Sequence, residues 1–376
     1  MMKIPLSKTF IDDKEHKAVD AVLNSGWLTH GPKNKEFEEK FARYIGSKYA
    51  LSMNSCASAL FVVIKTLGIK GEVILPSFTF VASSNAVVAA GAKPVFAEID
   101  FATGNIDPND IEKKITKNTE AIMPVHFAGQ ACKMDKIIEI AKKHKLYVIE
   151  DSAEAIGATF KNKKTGSFTI GCFSFFPTKN ITTGEGGMVT TNDKNLLTQI
   201  QTLVGHGISK STSQRIKAAK PWFRSATMAG YNFRMSNLLA AIGVEQMSKI
   251  DKMNNMRRKQ AAYLTKHLKD ISEIETPTEA KDCKNVYQMY TIKLKRGNRD
   301  EFVRKLKQNG IEASVHFDPP VHLQTFYMKN YGYKKGDLPI TEKLSKSIVT
   351  LPMYPGMTKK QLDYMIKLIK NIIQHG

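Results

Sequence analysis

The sequence predicts an α/β fold with a mostly parallel central sheet that is covered by helices on both faces. From residue 49 to residue 153, short apolar segments alternate with segments whose apolar residues recur at helical spacing. Strands that are apolar throughout and alternate with helices are typical of βαβ units, because both faces of such a sheet are buried. The apolar segments at 172–176 and 187–191 are too close together for a crossover helix, so we expect an antiparallel strand there.

The predicted elements of the first part of the chain come in pairs of a strand and a helix. Strand segments at 49–54, 72–77, 93–100 and 120–128 precede helical segments at 55–69, 80–91, 110–115 and 136–145, and another strand segment follows at 146–153. This order is that of repeated crossover units in one sheet.

The pattern changes in the second part of the chain. Helical patterning dominates from Asn237 to about Asp270. Beyond Pro277, strand-like segments at 286–294 and 311–317 flank a helical segment at 299–310, and another helical segment closes the chain. We therefore expect a large domain of residues 1–250 and a smaller C-terminal α/β domain of residues 251–376.

The composition is that of a globular protein, with 42% hydrophobic and 24% charged residues. No apolar segment is long enough to span a bilayer and the N-terminal residues form no apolar signal segment, so we expect a cytoplasmic protein without membrane contact. The cysteines have neither disulfide nor zinc-site spacing, as expected of free thiols in a reducing compartment: Cys56, Cys132, Cys172 and Cys283.

The net charge of +21 allows two interpretations. Lys and Arg total 56 against 35 Asp and Glu, a balance that many nucleic-acid-binding proteins share. The basic residues are spread along the chain in short groups, and no helix-turn-helix or RNA-binding motif accompanies them. We therefore favour a lysine-rich surface that suits a polyanionic small substrate, and a nucleic-acid-binding regulatory protein is the alternative.

Asp151 and Lys179 are the first candidates for chemistry. Asp151 lies at the end of one predicted strand and Lys179 follows another, at the sheet edge where ligands of parallel sheets bind. A structural ion pair is one explanation for them. The other is that the lysine forms a Schiff base with an aldehyde cofactor. Pyridoxal phosphate is such an aldehyde, and a carboxylate at its ring nitrogen improves its chemistry.

Other requirements of a pyridoxal phosphate site are met near the same edge. Ser55 and Ser58 open a predicted helix, whose free N–H groups suit a phosphate, and Ser174 lies shortly before Lys179. Phe78 and Phe80 offer an aromatic face for the ring. Taken singly, such serines are usually helix caps and such aromatic residues usually belong to the core. The glycine-rich loop 184–187 allows the backbone to turn closely past a cofactor.

Eight segments, in order along nearly the whole chain, resemble the pyridoxal-phosphate-dependent sugar-nucleotide aminotransferases of the DegT family. The segments are SGWLTHGP (25–32), NSCASAL (54–60), PSFTFVAS (76–83), PVHFAGQ (124–130), IEDSAEAIGA (149–158), FSFFPTKNITTGEGGM (173–188), GYNFRMSNLLAAIG (230–243) and LPMYPGMT (351–358). The resemblance implies the fold-type-I aminotransferase fold.

The resemblance also implies roles for individual residues. Lys179 is expected to form the Schiff base and to move the proton between the cofactor and the sugar carbon, and Asp151 to partner the pyridine nitrogen. Phe80 is expected to stack on the ring and Ser174 to bind the phosphate. Asn232 is expected to reach the phosphate of the neighbouring subunit's cofactor, which implies a homodimer with shared active sites.

The phosphate-binding segment departs from the family pattern at one position. Ala57 stands where many members have threonine, so one hydroxyl contact is missing. The backbone N–H groups of Cys56 and Ala57, with Ser55 or Ser58, are therefore expected to hold the phosphate.

Glu154 is a second departure, and it bears on the substrate. It stands beside the expected ring hydroxyl, where many members have histidine or glutamine. A glutamate at this position, together with the segments FSFF (173–176) and KNITTGEGGMV (179–189), resembles the GDP-perosamine synthases, which aminate a GDP-linked 4-keto-6-deoxymannose. Those enzymes tend to have Gly-Asn where Pro177 and Thr178 stand here.

Five further residues are candidates for substrate contact. Trp27 and Thr29 match a segment near the sugar nucleotide in the family, with a core position as the alternative for Trp27. Arg234 suits a phosphate or carboxylate, with a structural ion pair as the alternative. With the family resemblance, His316 and His322 are expected to contact substrate from a loop, and inert loop histidines are the alternative. Without a carboxylate at ligand spacing they predict no metal site.

The sequence therefore predicts an aminotransferase that takes an amino group from L-glutamate, holds it as pyridoxamine phosphate and delivers it to a nucleotide-linked 4-keto-6-deoxy sugar. A GDP-linked sugar is favoured, and UDP- or dTDP-linked and 3-keto sugars remain open. A sugar dehydratase of the same fold is the alternative within the resemblance, but it has histidine where Lys179 stands.

Overall fold

The computed structural model describes residues 2–208, residue 220 and residues 222–375. The helices, in chain order, are α1 (Asp13–Ser25), α2 (Pro32–Ile45), α3 (Cys56–Thr66), α4 (Val81–Ala89), α5 (Pro108–Lys114), α6 (Met134–His144), α7 (Lys194–Val204), α8 (Asn237–Met247), α9 (Ile250–Leu268), α10 (Arg299–Gln308), α11 (Thr325–Tyr331), α12 (Pro339–Ser347) and α13 (Lys359–His375). Short 3₁₀ helices lie at Phe127–Gly129 and Val321–Leu323.

Within the described part of the chain, the strands form three sheets. In chain order they are β1 (Tyr49–Met53), β2 (Glu72–Pro76), β3 (Lys93–Ala97), β4 (Thr119–Ile122), β5 (Tyr147–Asp151), β6 (Thr159–Phe160), β7 (Lys163–Lys164), β8 (Ile170–Ser174), β9 (Gly187–Thr191), β10 (Ile274–Glu275), β11 (Cys283–Lys284), β12 (Tyr290–Leu294) and β13 (Ile348–Leu351).

The described residues form a central sheet of seven strands in the order β1-β9-β8-β5-β4-β2-β3. β9 is antiparallel to both of its neighbours, β1 and β8, and the other pairs are parallel. The α/β fold with a mostly parallel sheet is therefore confirmed, and so is the antiparallel strand near the glycine-rich loop. The carboxyl ends of β1, β5 and β8 meet the start of β9 at one edge, because Met53 and Ser174 both pair with Gly187.

Aromatic packing explains how the end of β8 is oriented. Phe173 and Phe175 are fully buried, and their ring centroids lie 4.8 and 5.5 Å from that of Phe41 on α2. Successive side chains of a strand point to opposite faces. Ser174, between the two phenylalanines, therefore points away from α2.

A second, antiparallel sheet has the order β10-β12-β13. Its core is formed with side chains of α9, α10 and α13, such as Leu264, Leu306 and Met365. Ile4 belongs to the same cluster, and its N–H donates to the carbonyl of Gly310 at 2.8 Å. The first residues of the chain thus pack with its C-terminal part, and a domain boundary near residue 250 stays a prediction.

The strand predicted at 311–317 pairs only through isolated bridges at Ile311 and Ser314. Among the residues that the structure describes, no helix is long and apolar enough to cross a membrane.

Candidate active site

A cavity of about 420 Å³ lies at the carboxyl ends of β1, β5 and β8. One wall comes from this sheet edge and carries Ser55, Asp151, Ser174 and Lys179. The opposite wall comes from residues 288–289, 316–317 and 350–353, near the second sheet. The structure thus brings the predicted catalytic pair into one cavity.

Asp151 ends β5 and is only 4% exposed. Its Oδ2 accepts a hydrogen bond from the Ser83 hydroxyl at 2.8 Å, and its Oδ1 accepts one from the N–H of Ala153 at 3.1 Å. Burial raises the pKa of Asp151, and the two hydrogen bonds oppose that rise. A cation next to this carboxylate would be strongly stabilised, as a protonated pyridine nitrogen would be.

Lys179 and Glu154 form an ion pair inside the cavity. The Lys179 Nζ donates to Glu154 Oε1 at 3.2 Å, and the side chains are 15% and 9% exposed. The other carboxylate oxygen, Oε2, accepts from the N–H of Ala128 at 3.0 Å. Glu154 is therefore held from both sides, next to the amine.

The start of α3 forms the floor of the site. Ser55 caps the helix, because its hydroxyl accepts from the N–H of Ser58 at 3.0 Å. The N–H groups of Cys56 and Ala57 have no acceptor within the described part of the chain, and both residues line the cavity. A phosphate fits such a helix start, because the free N–H groups and the helix dipole both favour an anion. Ser55 lines the cavity, whereas the predicted alternative, Ser58, does not.

Gly187 permits this arrangement. A Cβ at residue 187 would lie 2.3 Å from the carbonyl C and O atoms of Ser55 and 2.6 Å from the N of Cys56. The last residue of the glycine-rich loop therefore lets β9 and the helix start approach each other closely.

Two aromatic side chains at the cavity remain accessible. Phe80 is 63% exposed and Phe176 is 45% exposed, and both line the cavity. Phe78 is fully buried and packs on Phe127 at 5.1 Å, so of the two predicted aromatic residues only Phe80 can offer a face to a ring. With the carboxylate, the lysine and the free helix start, the cavity fits pyridoxal phosphate.

The opposite wall carries polar groups that face the lysine. The Nδ1 of His316 lies 2.8 Å from the hydroxyl of Thr350. Burial lowers the pKa of His316, Lys179 acts in the same direction and Glu154 opposes it, so the neutral ring is favoured. His316 lies where a substrate contact was predicted, and that role stays a prediction.

Gln288 joins the two walls. Its Nε2 donates to the carbonyl of Thr178 at 2.8 Å, one residue before Lys179. Its Oε1 is buried and has no hydrogen-bond partner within the described ranges. The residue is 5% exposed and lines the cavity, so this oxygen is available to a donor group on a bound molecule.

The expectation for His322 is wrong. The ring is fully buried, its Nδ1 lies 2.7 Å from the Ser77 hydroxyl and its Nε2 lies 3.2 Å from Glu342. Both ring nitrogens thus have partners within the chain, and His322 does not line the cavity. It packs the loop before α11 against the end of β2.

Four other predicted residues lie outside the cavity of their own chain. The indole N–H of Trp27 donates to the carbonyl of His30 at 3.2 Å, and Thr29 is exposed. The exposed Asn232 accepts from the Arg234 guanidinium at 3.0 Å. Their roles at a shared site stay predictions.

The sequence patterns assign no role to several cavity residues, among them Thr79, Phe176, Ser83, Gln288 and Thr350. Ser83 lies in the first turn of α4 and Thr79 lies just before the N-cap, Phe80. Polar residues next to the end of a predicted parallel strand were a usable signal. No local signal marks Gln288, because a long-range fold contact brings it to the site.

Comparisons with known proteins identify the family of this chain. The model of the DegT/DnrJ/EryC1/StrS aminotransferase family matches residues 9–370. The spore coat polysaccharide biosynthesis protein SpsC of Bacillus subtilis is 38% identical, over 99% of this chain and 97% of the relative. The GDP-perosamine synthase of Caulobacter vibrioides is 36% identical, over 99% and 98%. The UDP-4-amino-4-deoxy-L-arabinose–oxoglutarate aminotransferase of Shewanella sediminis is 33% identical, over 98% of each chain.

Solved structures give the same result. The Helicobacter pylori aminotransferase PseC, involved in pseudoaminic acid biosynthesis, matches with a TM-score of 0.92 and 28% identity over all of both chains. Spr1654 of Streptococcus pneumoniae, in its PMP form, matches with a TM-score of 0.94 and 26% identity over 99% of both chains. This chain therefore belongs to the DegT/DnrJ/EryC1/StrS family and is a pyridoxal-phosphate-dependent sugar aminotransferase.

Proposed function

We propose that this enzyme moves the amino group of L-glutamate to the keto carbon of a nucleotide-linked 4-keto-6-deoxy sugar, with a GDP-linked 4-keto-6-deoxymannose as substrate and GDP-perosamine as product. The observation that carries the proposal is the contact between Lys179 and Glu154 at 3.2 Å. The sequence resemblance associates a glutamate at this position with GDP-perosamine synthases, and the Caulobacter relative has that name. A UDP-linked sugar, as in the name of the Shewanella relative, is the competing substrate.

The roles that we propose for the residues follow from their positions. When bound, pyridoxal phosphate supplies an electron sink for the charge that develops as a proton leaves the amino donor. Lys179 acts as the amine that moves this proton between carbon atoms. Asp151 keeps the pyridine nitrogen protonated, because a neighbouring cation stabilises the charge of this buried carboxylate.

Glu154 and the helix start position these groups. The N–H of Ala128 fixes one oxygen of Glu154, so the other oxygen stays directed to the lysine amine. The N–H groups at the start of α3, with Ser55 and Ser174, bind the phosphate. Phe80 covers one face of the ring.

We also propose a cytoplasmic homodimer with shared active sites. Trp222 and Phe223 are 74% and 64% exposed, and a second copy would remove this apolar surface from water. Asn232 is exposed in a segment that is anchored beside the phosphate site, because the N–H of Asn54 donates to the carbonyl of Phe233 at 2.8 Å. Such a position suits a contact with the partner's cofactor.

Absorbance spectroscopy tests the cofactor chemistry. The purified protein with pyridoxal phosphate is expected to be yellow and to lose this absorbance when L-glutamate is added. Lys179→Ala is expected to lack the lysine-bound band, and Lys35→Ala, a change at an exposed position on α2, is expected to behave like the wild type. A Lys179→Ala protein with an unchanged band and glutamate response would refute the role of this lysine.

A substrate panel then tests the sugar. GDP-, UDP- and dTDP-linked 4-keto-6-deoxy sugars are compared by kcat/KM with glutamate as donor. We expect the GDP-linked sugar to be preferred by at least about tenfold, which corresponds to about 1.4 kcal/mol of transition-state binding. A higher value with a UDP- or dTDP-linked sugar would reject the perosamine assignment and leave the aminotransferase class intact.

A further inference from the structure

A chain of two hydroxyl groups ends on the Asp151 carboxylate. The Ser83 Oγ lies 2.8 Å from Asp151 Oδ2, and the Thr79 Oγ1 lies 2.9 Å from the Ser83 Oγ. Asp151 is 4% exposed, and Thr79 and Ser83 are each 2% exposed. All three residues line the cavity, so the chain runs beside the place where the cofactor ring fits.

The direction of these hydrogen bonds is fixed by chemistry. An ionised carboxylate only accepts hydrogen bonds, so the single hydroxyl proton of Ser83 must go to Asp151. The Ser83 oxygen then accepts, and the Thr79 hydroxyl has to be its donor. The charge on Asp151 thus orders both hydroxyl groups.

The hydrogen-bonded hydroxyl groups also affect the protonation of the Asp151 carboxylate. Burial raises the pKa of Asp151, and the hydrogen bond from Ser83 is the first influence that opposes this rise. The N–H of Ala153 and the charge of Lys179 act in the same sense as Ser83, and Glu154 acts against them. The thiols of Cys56 and Cys172 also face Asp151, but burial raises their pKa values, so they stay neutral.

We propose that Ser83 is a positioning residue that fixes the orientation and charge of the Asp151 carboxylate, and that Thr79 acts through Ser83. The proposal rests on the role proposed above for Asp151, because a carboxylate held in this way is what a protonated pyridine nitrogen needs. Neither hydroxyl has to touch the reacting atoms. Their effect reaches the cofactor through Asp151, as in other sites where neighbouring residues orient the side chains that contact the ligand.

The test compares Ser83→Ala, Thr79→Val, the double variant and Ser83→Thr with the wild type. Ser84→Ala is the matched control, because the Ser84 hydroxyl donates to the carbonyl of Val81 at 3.1 Å and the residue does not line the cavity. The readouts are the dissociation constant of pyridoxal phosphate, from titration of the cofactor-free protein, and the pH at which the visible band of the bound cofactor changes. Circular dichroism establishes that each variant is folded.

The expected pattern separates an indirect from a direct role. Ser83→Ala should weaken cofactor binding about 10- to 100-fold, because it removes one hydrogen bond to a charged group. Ser83→Thr should restore most of the affinity, and Ser84→Ala should stay within about twofold of the wild type. The double variant should bind like Ser83→Ala alone, since Thr79 acts only through Ser83.

Other outcomes would overturn the proposal. Effects of Thr79→Val and Ser83→Ala that multiply in the double variant would show that Thr79 acts independently. A folded Ser83→Ala protein with wild-type affinity and an unchanged pH response would remove the role of Ser83. If Ser83→Ala does not fold, the Thr79→Val variant decides. A wild-type dissociation constant and a wild-type pH response for Thr79→Val would reject the role proposed for the two hydroxyl groups. A wild type that forms no lysine-bound cofactor would instead reject the role of Lys179 on which the proposed function depends.

Discussion

Replacement of Gly187 by alanine is expected to displace the start of α3 and thereby to weaken cofactor binding. The added Cβ would lie 2.3 Å from the C and O atoms of Ser55, whereas ordinary contacts begin at 3.4 Å. Because the opposing atoms belong to the backbone, β9 and α3 have to separate by about 1 Å, and such overpacking costs about 1–3 kcal/mol of folding free energy. The displaced atoms include the N–H of Cys56, so the affinity for pyridoxal phosphate is expected to fall about tenfold or more.

Gly171→Ala provides the control for this prediction. Its Cβ would lie 2.5 Å from the Cα of Gly166 and from the hydroxyl of Thr190, so it overpacks the neighbouring strand without meeting α3. Urea unfolding should show that both variants lose stability, and titration of the cofactor-free proteins should show weaker binding only for Gly187→Ala. Equal affinity in Gly187→Ala and the wild type would refute the reasoning that this glycine sets the phosphate site.

The remaining predictions concern groups around the lysine. Gln288→Leu removes the donor to the Thr178 carbonyl and should lower the rate of the glutamate half-reaction about tenfold in stopped-flow measurements. Gln288→Glu also lacks the N–H donor and should lower this rate by a similar factor. Glu154→Gln should shift the pH midpoint of the visible cofactor band down by about one unit, because a carboxylate favours the protonated state of its neighbour, whereas Glu185→Gln at the exposed side of the cavity should not. Burial lowers the pKa of His316 below 6.5, so the unfolded chain protonates this ring more readily than the folded chain does. The folded state is therefore destabilised as the pH falls below 6.5 and the ring becomes protonated in the unfolded chain. His316→Gln should therefore reduce the fall in thermal midpoint between about pH 7 and pH 5, and an unchanged slope would contradict the lowered pKa.

The sheet and its ligand edge could be predicted because their signals are local. Apolar strands that alternate with helices leave few topologies, and strand ends then locate Asp151 and Lys179 at one edge. Ser174 follows from the alternation of side chains between Phe173 and Phe175. These inferences need no knowledge of which distant segments meet.

The opposite wall could not be predicted in this way. His322 looks like a loop histidine in the sequence, but Ser77 and Glu342, which occupy its ring nitrogens, are distant in the chain. Gln288 lies just before β12 and Thr350 lies on β13, and both line the cavity together with residues of the central sheet edge that are distant in the chain. A single sequence gives no periodicity or spacing that marks such contacts.

The two walls differ in how they are built, and this has a consequence for the enzyme. The wall at the sheet edge consists of strand ends and a helix start, whereas the opposite wall consists of segments held by contacts across the fold. The hydrogen bond from Gln288 to Thr178 joins the opposite wall directly to the loop of Lys179. A change in the opposite wall is therefore expected to move the lysine as well, so that substrate preference and rate change together rather than independently.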